Sequence, residues 1–168
     1  MTISIYDQSI ARFSHMLGNL DRLVSRAEAH AEANGIEPSV LLKARLFPTM
    51  QDFTFQVQVC TDMAKSCAAR LAGTAVPKWS DDEETFADVH ARIKKALDFL
   101  APFAPEQFEG SENLQLTVKL GSHTVDFTGK SYLLGFVLPN FYFHMATAYN
   151  LLRHNGLDLR KRDFLGEI

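Results

Sequence analysis

The sequence predicts an all-α protein, a four-helix bundle with a small β-hairpin inserted before its last long helix. Three observations point there. Apolar residues recur at three- and four-residue steps in three long stretches, the period of helices with one buried face. Residues 114–127 switch to a period of two, the pattern of paired strands. Behind them, Ser131 to Leu152 carries no acidic or basic side chain when His144 is counted neutral, as expected of a helix with little water around it.

The first long helix is set by Tyr6, Ile10, Phe13, Leu17, Leu20, Val24, Ala27 and Ala31, with Arg12, His15, Asn19, Arg22 and Arg26 off the stripe. Asn34-Gly35 ends it, and Pro38 follows. Ser39 to Leu46 predicts a short helix before Pro48, which restricts the residue preceding it. A second long helix is expected from Pro48 to Gly73 on the stripe Phe53, Val57, Cys60, Ala64, Cys67 and Leu71. Ser80 with Glu83 has capping-box spacing for a third helix, carried by Phe86, Val89, Ile93, Leu97 and Leu100 to Pro102. Leu114, Leu116, Val118 and Leu120 alternate with polar residues, turn at Gly121-Ser122, and resume as Val125 and Phe127. The fourth helix is expected to begin or kink at Pro139 and to end at Asn155-Gly156.

With 168 residues, 46% hydrophobic and 22% charged, the chain fits one globular domain over 1–168. A net charge of −3 argues against nucleic acid or an anionic membrane as the main partner. Two cysteines make no disulfide framework, and the N-terminus has no basic region followed by an apolar run, so a cytoplasmic location is expected. The uncharged run does not read as a bilayer span: Ser131, Gly135, Pro139, Asn140, His144, Thr147 and Asn150 are too polar for lipid. Cys60 and Cys67 lie two helical turns apart, too far for a mutual disulfide, and read as small core residues. The acidic run Asp81–Glu84 reads as a helix start. Arg160, Lys161 and Arg162, with Arg153 and His154, read as a solvated or salt-bridged basic tail. His15, His30, His90 and His123 stand alone and are expected at the surface.

On the fourth helix, Phe141, Met145, Ala148 and Leu152 form one stripe, and Asn140, His144, Thr147 and Leu151 a second beside it. Asn140 and His144 therefore project together from the edge of the core. Thirteen phenylalanines are many for one bundle. The surplus lines a pocket between helices or covers a homodimer face, with Tyr142 and Tyr149 as the residues pointing away from the axis.

The segment NFYFHMATAYNLLRHNG (140–156) resembles the last helix of the DinB/YfiT-like superfamily, four-helix bundles many of whose members bind a divalent metal. ARLFPTM (44–50), RLAG (70–73), LPNFYFHMATAYNLLRHNG (138–156) and KRDFLG (161–166) are similar to a bacterial family of unknown function within it. The resemblance implies a DinB-like bundle and a His-x3-His pair on the last helix. Here His144 is kept and Asn140 stands at the paired position. A further histidine implied on the second helix has no counterpart between His30 and His90; Asp52 and Gln56 are the nearest polar candidates. Zinc prefers thiolate and imidazole to carboxamide. Two functions follow. One is a metal-free ligand-binding or interaction module, a homodimer on a degenerate metal site, with no cofactor. The other is a weak enzyme in which His144, Asn140, Asp52 and Gln56 hold zinc or nickel for thiol-transfer or hydrolytic chemistry.

Overall fold

The structure is a computed structural model that describes residues 4–167. Four long helices make the bundle: α1 (Arg12–Asn34), α3 (Phe53–Leu71), α4 (Phe86–Leu100) and α6 (Leu138–His154). Short helices α2 (Pro38–Leu42), α5 (Gly129–Ser131) and α7 (Lys161–Leu165) join or follow them. Strands β1 (Gln115–Leu120) and β2 (His123–Thr128) form an antiparallel hairpin before the last long helix. In space α3 lies between α4 and α6, and α1 packs on α4 and carries α7.

The predicted stripes are the core. Phe13, Leu17, Leu20, Phe53, Val57, Cys60, Ile93, Phe141 and Met145 are all inaccessible to solvent. Gly35 ends α1 in the left-handed conformation, at φ 60°, where other residues are strained. The hairpin has the expected register, with Leu116 opposite Phe127 and Val118 opposite Val125 around Gly121-Ser122. A second glycine is fixed by crowding. Gly129 N–H donates to Leu114 O at 2.8 Å, and a methyl group on Gly129 would overlap the Ser111 carbonyl.

Several details differ from expectation: the short second helix is Pro38–Leu42 rather than Ser39 to Leu46, and others change for local reasons. α3 starts at Phe53 rather than Pro48, because Asp52 is its cap: the carboxylate accepts Phe55 N–H at 3.0 Å. α4 starts at Phe86. Its capping box is Thr85 with Asp88, whereas Ser80 and the acidic run stay outside the helix. Asp81 and Glu83 instead pair with the buried Arg92 guanidinium, each at 2.8 Å, which also meets Asp62 at 3.1 Å and Thr61 Oγ1 at 2.8 Å. α6 itself starts at Leu138 with Pro139 in its first turn, in keeping with a start or kink at that proline, but it is not the first helical turn of the segment. Helical turns start at Gly129, pass through a π-helical turn over Tyr132–Val137, and continue as α6. The basic tail folds as α7, tied to α1 by Arg26 and Asp163 at 2.9 Å. A second π-helical turn, Asp7–Ala11, precedes α1.

Candidate functional site

His144 and Gln56 meet across the α3–α6 seam. His144 Nδ1 lies 2.7 Å from Gln56 Oε1. The Gln56 Nε2 amide donates to Gln51 O at 3.0 Å, so its oxygen faces the ring and Nδ1–H is the donor. In the neutral imidazole this puts the proton on Nδ1 and the lone pair on Nε2. Burial holds its pKa below the usual histidine value. Phe55 and Phe143 stand edge-on to the ring, with centroids 6.1 and 5.1 Å away. Phe143 belongs to the surplus of aromatics the sequence gathers around the last helix, whereas Phe55 carries no sequence signal beyond lying one residue from Gln56.

The other two candidates face elsewhere. Asn140 turns back on its own helix, its Nδ2 donating to Phe136 O at 2.7 Å. Asp52 caps α3 and forms a loose ion pair with Arg45 at 3.8 Å. Of the four residues, the structure joins only His144 and Gln56 by a hydrogen bond. A shallow cleft of about 200 Å³ is lined by Asp52 and Phe55, but His144 does not line it.

A divalent metal does not fit this donor set. A metal site needs several deprotonated thiolates, imidazoles or carboxylates converging on one point. Here one imidazole nitrogen is available, Gln56 is engaged through both amide atoms, and Asp52 serves a helix end. Among the described residues, no three His, Cys, Asp or Glu side chains gather closely enough to hold a metal ion. Cys60 and Cys67 are fully buried, and burial drives both thiols far up from their ordinary pKa, so neither supplies a thiolate.

The tyrosines proposed for a dimer face are partly covered within the chain. Tyr142 accepts from Arg12 at 3.3 Å and stacks edge-on with Phe141; Tyr149 packs on Phe164 of α7. The outward aromatic is Phe143, 57% exposed. Of the histidines expected at the surface, His15 and His123 are exposed. His30 and His90 are half-buried, and His90 pairs with Asp21 at 2.6 Å.

Comparison with known proteins agrees with the fold. A family model described as "Domain of unknown function (DUF1993)" matches residues 5–165. The chain is also similar to a solved structure, a DinB family member from Shewanella denitrificans. That likeness has 36% identity and a TM-score of 0.89, covering 98% of this chain and 93% of that one. No curated protein matches the chain. Among the described residues, no helix is long and apolar enough to cross a membrane.

Proposed function

The chain belongs to the DUF1993 family of DinB-like proteins, and from that premise we propose that it is a metal-free binding module built on a degenerate metal site. The observation that carries the reading is the His144–Gln56 hydrogen bond. A metal-ligating histidine normally uses one ring nitrogen for the ion and the other for an orienting acceptor. His144 has the orienting acceptor, yet no second imidazole, thiolate or carboxylate is bonded beside its Nε2. Phe55 and Phe143 pack edge-on against the ring, so its neighbours are apolar rather than further metal ligands. The two free, buried thiols suit a reducing, cytoplasmic setting. The uncharged outward face of α6, centred on Phe143, suits contact with a second copy of the chain.

The test is elemental mass spectrometry on protein purified without chelators or a histidine tag, before and after loading with zinc or nickel, beside His144→Ala. Metal near zero is expected in both proteins. The variant should lose about 1–3 kcal/mol of stability because it leaves the buried Gln56 oxygen without its donor. Near-stoichiometric metal in the wild type that vanishes in the variant overturns the reading and establishes the weak metalloenzyme instead.

A further inference from the structure

Two π-helical turns, far apart in sequence, wall the same cavity. The turn Asp7–Ala11 contributes Gln8, with Ile5 and Tyr6 just before it. The turn Tyr132–Val137 contributes Leu133 and Leu134. Phe108 closes the third side, edge-on to Tyr6 at 5.7 Å. The cavity measures about 650 Å³, inside the roughly 300–1,000 Å³ span of small-molecule sites. Its walls are mainly apolar, and Leu134 is left 47% exposed. π-turns are uncommon and recur at functional sites, because the extra residue widens the helix at some cost. Two of them on one cavity are independent deviations that share a location.

The polar groups at this cavity favour a cation. Glu109 and Glu112 stand at the rim against a single Lys130, and none of the three forms an ion pair within 4 Å among the described residues. Carboxylates beside apolar walls match a molecule with an apolar body and a protonated nitrogen.

We propose that this cavity binds a small apolar molecule bearing a protonated amine. The site is separate from the His144 seam: Leu134 stands ten residues before His144, roughly 15 Å back along the helical segment. It rests on the binding-module reading only in treating the chain as a binder. The metal measurement and the one that follows therefore fail independently.

The experiment is a titration of the full-length protein with n-octylamine, octanoate and octanol, followed by thermal shift and by amide chemical shifts. Octylamine should bind at least tenfold more tightly than octanoate and move the resonances of Tyr6, Phe108 and Leu134. Glu109→Gln with Glu112→Gln should erase that preference. Leu134→Trp, which fills the cavity from an exposed position, should abolish binding while leaving the unliganded melting temperature within a few degrees. No saturable binding of the amine overturns the proposal, as does binding that survives Leu134→Trp. Residues 1–3 lie outside the described residues and precede Ser4 on the rim. Amine binding seen only after they are removed also overturns it.

Discussion

His144 shows how one hydrogen bond fixes the chemistry of a side chain. Its folded pKa lies below the unfolded value of about 6.5, so below that pH the unfolded chain binds the proton first. Stability tied to this group is complete above pH 6.5 and is lost as pH falls toward the folded pKa. The ring's bond to Gln56 survives protonation, because Nδ1 donates in either state, so desolvation alone sets the direction. Urea midpoints between pH 7.5 and 5 should therefore decline less in His144→Gln than in the wild type. An equal decline in both sinks this account. Glu83 is also shifted down: burial pushes its carboxyl up, but bonds from Arg92 and Gln58 outweigh that and hold it below its ordinary value. The residue scale is also where the sequence was least informative. Helical spacing placed Asn140 and His144 on one edge, yet it carries nothing about side-chain rotation. Asn140 bonds its own helix, and only Gln56 of the two second-helix candidates reaches across.

At the scale of elements, periodicity was legible and termini were not. The stripes of α1, α3, α4 and α6, and the alternation of β1 and β2, follow directly from side-chain burial. Helix starts are decided by single hydrogen bonds that several residues compete to make. Ser80 and Thr85 both offer capping-box spacing, and Thr85 prevails because Arg92 draws Asp81 and Glu83 into the loop. Asp52 is the instructive case: its carboxylate, considered for a metal, belongs to the α3 terminus. Asp52→Ala should cost about 0.5–2 kcal/mol by denaturant midpoint, whereas Asp52→Asn should keep most of that stability. Equal losses in the two variants would assign the effect to the Arg45 ion pair instead. The π-turns left no signal in the apolar spacing, since one extra residue in a turn resembles the ordinary scatter of a helical stripe.

For the whole molecule, α6, which carries no charged side chain before Arg153, has two faces with different fates. Its inner stripe is the core of the bundle, and its outward face leaves Phe143 in water. Sedimentation velocity should show a dimer at micromolar concentration, and Phe143→Glu should return it to a monomer with unchanged helix content. A wild type that stays monomeric across the range removes the dimer from the proposed function. A stable pairing needs about 800 Å² per partner, more than one phenylalanine supplies, so the contact must run along α6. The hairpin bears on assembly of another kind. A sheet of two strands has no interior strand, so both outer backbones are open to pairing with other chains, the usual seed of aggregation. Lys119 and Asp126 lie on the two strands, and Thr117 engages the Asp126 carboxylate at 2.6 Å. A charged residue on each short strand is the usual device that discourages such pairing, so these six-residue edges are poor seeds for a fibre.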